Sequence, residues 1–164
     1  MQYQPNVKSA IYIVENILPL VQKTIPEANL LISGTSPTKE VLDLAGEKVT
    51  VSGWMDDIRD AYNTALVFIA PMEIGTGLQN KLLEAMAMQM PCVTSKLANN
   101  ALKATPEKEI LIGNSKEGYA ELIIKLLQNA KFSNQIAKNG QMYVQKQFNW
   151  DTSTQKLLES MNIK

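Results

Sequence analysis

The chain has 164 residues, one cysteine, no histidine, and sixteen basic residues balanced by sixteen scattered acidic ones. That balance argues against a nucleic-acid partner and against strong attraction to an anionic membrane. The missing histidine excludes Ser-His-Asp and Cys-His catalysis within the chain and leaves zinc or haem without common ligands.

The length fits one domain over residues 1–164, and the ordinary apolar content can supply a core. Cys92 cannot form an internal disulfide, and no run approaches the ~20 apolar residues of a membrane span. The expected setting is therefore the cytoplasm, with membrane contact peripheral to the inner face at most.

Residues 7–23 predict a helix with Ile11, Val14, Ile17, Leu18 and Val21 on one face, stopped by Pro26. Residues 29–33 (NLLIS) predict a buried strand, and Gly34-Thr35-Ser36-Pro37 a turn. A short helix follows over 38–45, with Thr38 placed to cap it. Residues 48–52 (KVTVS) form the next expected strand, ending in Gly53-Trp54. A brief helix spans 56–64, where Asp56-Asp57 suits the positive helix end. Residues 66–70 (LVFIA) read as a buried strand stopping at Pro71.

A glycine loop, Gly75-Thr76-Gly77, then leads into a helix expected to reach about Met90. Strands at 92–95 and, short and edge-like, at 109–112 come next. The charged residues between 103 and 109 read as a solvated loop. An amphipathic helix covers 116–130, with Tyr119, Leu122, Ile123, Leu126 and Leu127 inward. Helices over 134–148 and 152–161 close the chain.

Strands alternating with helices imply a Rossmann-like, three-layer α/β/α fold with a mostly parallel sheet. Right-handed crossovers bring the carboxyl ends of the strands to one edge, where ligands of such sheets bind. Gly34, Gly53, Gly75 and Gly77 place glycine turns there. The chain opens on a helix, so residues 1–6 read as the loop following an absent first strand.

The helix after the glycine loop is apolar nearly all round, with Met86, Met88 and Met90 as core filler. One stripe differs: Gly77, Asn80, Lys81 and Glu84 fall at i, i+3, i+4 and i+7. Free amides from Gly75 to Leu78 and the positive dipole end favour an anion. Glu84 lies roughly 10 Å along the axis at about 1.5 Å per residue. That distance fits phosphate at the loop and a hydroxyl-bearing ring at the carboxylate. Each feature also has a plain structural alternative. Glu84 pairs with Lys81 or caps polar neighbours, the glycines only turn the chain, Asn80 only lines the stripe, and Trp54 packs half-buried instead of facing a base.

The segments VTVSGWMDDIRDAYNTALVFIAP and GTGLQNKLLEAMAMQMPCVTS resemble the C-terminal, donor-binding half of GT-B glycosyltransferases, in particular family 4 or group 1. Gln4-Pro5-Asn6 and Phe148-Asn149-Trp150 resemble flanking patterns of that family. The resemblance implies a nucleotide-diphospho-sugar donor bound by Gly53, Trp54, Gly75, Thr76, Gly77, Leu78, Asn80, Lys81 and Glu84. Glu84 matches the family glutamate that holds the ribose hydroxyls. Thr76 stands where relatives carry a first glutamate, and Glu73 lies three residues too early to replace it. The basic residues that often grip the diphosphate are not evident beyond Lys8.

The resemblance further implies a hexosyltransferase-like enzyme of polysaccharide biosynthesis with no metal or cofactor. The acceptor, saccharide or lipid-linked, falls to a separate N-terminal half, so transfer by this chain alone is not expected and no catalytic residue is assigned. Rival readings are a non-catalytic nucleotide-binding or interaction module and half of a nucleotide-sugar epimerase. A dinucleotide dehydrogenase is disfavoured by the missing Gly-x-Gly-x-x-Gly.

Overall fold

The computed structural model describes residues 2–74, 77–149, 154 and 159. Gly75, Thr76, Trp150 and the helix expected over 152–161 therefore lie outside the described residues, apart from Thr154 and Glu159.

The first helical rod starts earlier than its apolar pattern, because Pro5 suits a first turn where its absent amide is not needed. It runs through α1 (Gln4–Tyr12), a π-helical turn (Ile13–Ile17) and α2 (Leu18–Gln22). Pro19 lies within it. Its ring lacks the amide that would bond the Glu15 carbonyl and crowds that carbonyl, and the widened turn lies just ahead.

The rest alternates as the sequence predicts: β1 (Leu30–Ser33), α3 (Lys39–Leu42), β2 (Val49–Gly53), α4 (Ile58–Thr64), β3 (Phe68–Ala70), α5 (Asn80–Ala87) and β4 (Cys92–Ser95). Then come α6 (Lys96–Leu102), β5 (Leu111–Gly113), α7 (Lys116–Gln128) and α8 (Ala130–Gln147). α6 had no sequence expectation. Its start is set by Ser95, whose Oγ accepts from the Ala98 amide at 3.1 Å.

The expected sheet is parallel but divided. β1 pairs with β2 in one sheet, and β3, β4 and β5 pair in that order in another. No strand pairing joins β1 to β3 among the described residues. At the end of β2 the register skips Ser52, so Ser33 faces Gly53. Gly53 takes φ +68°, a conformation that a side chain would strain.

β4 is the centre of the core. Cys92, Val93 and Thr94 are all completely buried, as a parallel strand covered on both faces requires. On one face Cys92 packs with Leu82, Ala85 and Met86 of α5 and Leu102 of α6. On the other, Val93 and Leu111 meet Ile17, Val21, Tyr119 and Leu126. A third cluster joins Val7, Ala10 and Leu18 to Ile32 and Val49 of the smaller sheet. Leu122, Ile123 and Leu127 of α7 pack against the second cluster half-buried.

Candidate functional site

α5 is shorter than its apolar run. It ends at Ala87, and Gln89 turns the chain with φ +57° before Met90 re-enters the core. It is also amphipathic, where the sequence pointed to a helix buried nearly all round. Leu82, Ala85 and Met86 face inward, while Asn80 and Glu84 are exposed and Lys81 is half-buried. The polar stripe is thus one outward face.

Each stripe cation or anion already has a protein partner. The Tyr62 hydroxyl, from α4, donates to Glu84 Oε2 at 3.0 Å. Burial raises the Tyr62 pKa, and the Glu84 charge and hydrogen bond raise it further, so the phenol keeps its proton. Lys81 Nζ donates to Asn6 Oδ1 at the start of α1, and burial lowers the pKa of its ammonium. Glu84 and Lys81 do not pair with one another among the described salt bridges. Gly77 and Leu78 are exposed ahead of α5.

Gly53 and Trp54 follow β2 on the smaller sheet. The Gly53 carbonyl accepts from the Gly34 amide at 3.1 Å, linking the turns after β1 and β2. Trp54 is 71% exposed, and its Nε1 donates to Asp56 at 3.3 Å. The half-buried packing alternative for this tryptophan does not hold. Asp57 does cap a helix: it accepts from the Arg59 amide at 2.9 Å.

A cleft of about 220 Å³ opens at the carboxyl ends of β3, β4 and β5. Tyr12, Glu73, Ser95, Lys96, Asn114 and Tyr119 line it. Of the nine residues drawn from the sequence, the seven that are described, Gly53, Trp54, Gly77, Leu78, Asn80, Lys81 and Glu84, do not line it. In sequence, Glu73 of this cleft stands seven positions ahead of Asn80, where the α5 stripe enters the helix. The Tyr12 and Tyr119 rings meet edge to face at 6.4 Å. Gly113 is needed beneath them, since a Cβ there would lie 2.3 Å from Tyr119 Cδ1. Ser95 has two duties: besides capping α6, its hydroxyl donates to the Met72 carbonyl at 2.6 Å. The available sequence signal was positional, because Ser95 and Asn114 stand where strands end.

Lys8 is exposed and borders a small crevice with Tyr12 and Glu73. Among the described residues no helix is long and apolar enough to cross a membrane.

The model of the family described as glycosyl transferases group 1 matches residues 1–129. The chain belongs to that family, and its architecture is one Rossmann-like half of the GT-B fold. A Klebsiella pneumoniae protein, described as an uncharacterized 44.6 kDa protein in the cps region, is 23% identical over 152 residues. The match covers 87% of this chain and 39% of that one.

Among solved structures, sucrose-phosphate synthase from Thermosynechococcus elongatus is similar with a TM-score of 0.75 and 22% identity, covering 94% of this chain and 42% of that one. Anabaena HepE, solved with UDP and glucose, has a TM-score of 0.73 and 14% identity, covering 90% and 45%. The pneumococcal O-GlcNAc transferase GtfA, solved with UDP and GlcNAc, has a TM-score of 0.71 and 16% identity, covering 93% and 33%. At these identities the structural likeness establishes the fold alone. The chain spans less than half the length of each of these proteins.

Proposed function

We propose that this chain is the donor-binding half of a glycosyltransferase that moves a hexosyl group from a nucleotide diphosphate to a saccharide or lipid-linked acceptor. The observation that carries the reading is Glu84. Its carboxylate stands exposed in the second turn of α5, steadied by Tyr62, directly beyond the loop at the carboxyl end of β3. A carboxylate accepts two hydroxyl hydrogen bonds, which suits a vicinal diol on ribose.

The glycine-loop amides through Leu78, with Asn80 and Lys81, are the donors assigned to the diphosphate. As the glycosidic C–O bond breaks, negative charge grows on that leaving group, and fixed donors stabilise it. Gly53 and Trp54 are assigned to the base. The acceptor and the base that deprotonates it belong to an N-terminal half in this proposal. The Klebsiella relative in a cps region supports surface polysaccharide as the product class. No metal or cofactor is assigned.

Calorimetric titration with UDP, GDP, ADP and their glucose conjugates tests the reading. One series is expected to saturate. Glu84→Gln should weaken it about tenfold or more, since hydrogen bonds to a charged group contribute about 1.5–3 kcal/mol. No saturable heat from any nucleotide, or equal affinity in Glu84→Gln, would sink it.

A structural reading rests on the two bonds to Tyr62 and Asn6, which tie α5 to α4 and α1. It is the interaction-module alternative, and it predicts that Glu84→Gln lowers the melting temperature without touching nucleotide affinity.

A further inference from the structure

The two neighbouring acids after β2 have different surroundings. Asp57 caps α4, and its carboxylate also takes the Arg59 guanidinium, with Nη2 donating to Oδ2 at 2.6 Å. Asp56, one residue earlier, is exposed and has no ion pair among the described residues. Among those residues its side chain takes a single hydrogen bond, from Trp54 Nε1 to Oδ1 at 3.3 Å. That bond holds an uncompensated carboxylate at the edge of an indole that is 71% exposed.

The space beside this pair is open. Gly53 has nothing within 4 Å of where a Cβ would stand. A flat base can therefore lie against the indole, since every base has a face that stacks on an aromatic ring. Its edge then meets the Asp56 carboxylate. The helix α4 links this end of the site to the other. Asp57 caps its start, and Tyr62, five residues on, holds Glu84. Those five residues cover roughly 7–8 Å at about 1.5 Å per residue. With ribose at Glu84 and the base at Trp54, that span suits a purine, which reaches farther from its ribose than a pyrimidine does.

An ionised carboxylate only accepts hydrogen bonds, so it selects a base edge that offers donors. Guanine presents two side by side, its ring N1–H and its exocyclic amino group, and a carboxylate takes both in a bidentate pair. Uracil presents one N–H between two carbonyl oxygens, which the charge repels. Adenine presents an amino group beside a bare ring nitrogen, which the charge also repels. We propose that Asp56 selects guanine, so that the donor is a guanosine diphosphate sugar, with Trp54 as the surface on which the base stacks. The proposal rests on the donor-binding reading, in which Gly53 and Trp54 hold the base, and adds the identity of that base.

The test is calorimetric titration of the chain with GDP, IDP, UDP and ADP. IDP, the inosine analogue, lacks the exocyclic amino group and offers the carboxylate one donor in place of two. GDP is expected to bind about tenfold or more tighter than each of the others, because its two bonds to the carboxylate are charge-assisted. Asp56→Asn should weaken GDP about tenfold or more, since one carboxylate oxygen gives way to an amino group that faces another donor. Its UDP affinity should not fall. UDP binding as tight as GDP, or IDP equal to GDP, would overturn the guanine assignment and leave donor binding standing. An equal loss for every nucleotide in Asp56→Asn would mark a structural role for Asp56 and overturn it as well. Saturation by none of the four would overturn the donor reading itself, and this proposal with it.

Discussion

Tyr62 is the residue on which the proposed site turns. It is buried to 9% exposure, yet its hydroxyl reaches the exposed Glu84. Tyr62→Phe keeps the ring packing against Phe68 and deletes one bond. The expected loss is about 0.5–1.5 kcal/mol, read as a shift in urea midpoint at neutral pH. The folded phenol titrates above its unfolded value, so its contribution is complete below about pH 10 and is lost as pH rises further. The difference between wild type and Tyr62→Phe should therefore narrow on the alkaline side; a gap that widens there would contradict the assignment. Periodicity placed Glu84 and Lys81 on one stripe but could not show their partners. Asn6 is 75 residues from Lys81 in sequence, and Tyr62 is 22 from Glu84. Such pairs arise only once helices pack.

At the scale of elements, α7 and α8 each carry a glycine, with opposite meanings. Gly118 sits in the first turn of α7, and a Cβ there meets only Ser115 Oγ at 3.6 Å. Gly118→Ala should raise stability by about 0.5–1 kcal/mol through chain entropy. Gly140 lies where α8 crosses α5, and a Cβ there would come within 2.8 Å of the Glu109 carbonyl and 3.3 Å of Met86 Cε. Gly140→Ala should cost about 1–3 kcal/mol. Paired thermal melts check both, and equal signs would refute the packing described. Neither role was legible in the sequence, since both glycines sit inside helical patterns. Element type was legible wherever apolar spacing was regular, as in α7 and β4. Boundaries were not: α5 stops at Ala87 because Gln89 turns left-handed, although the apolar run continues to Met90. α6 escaped notice because its cap, Ser95, also ends a strand.

For the whole molecule, alternation of strand and helix revealed the parallel α/β class, and the glycine-loop motif revealed the family. The division into two sheets was not readable, because β1 and β3 look in sequence like strands with neighbours on both sides. The cleft at the ends of β3, β4 and β5 was also missed, since its lining comes from α1, α6 and α7 together. The same assembly leaves Cys92, the chain's sole cysteine, fully enclosed with its thiol pKa raised by burial. A maleimide dye should thus label the native protein only through rare openings that expose β4, and brief guanidinium treatment should make labelling immediate. Rapid stoichiometric labelling of native protein would contradict that enclosure. Nature has in effect left one chemical tripwire at the centre of the molecule, and its reaction rate clocks how often the interior comes apart.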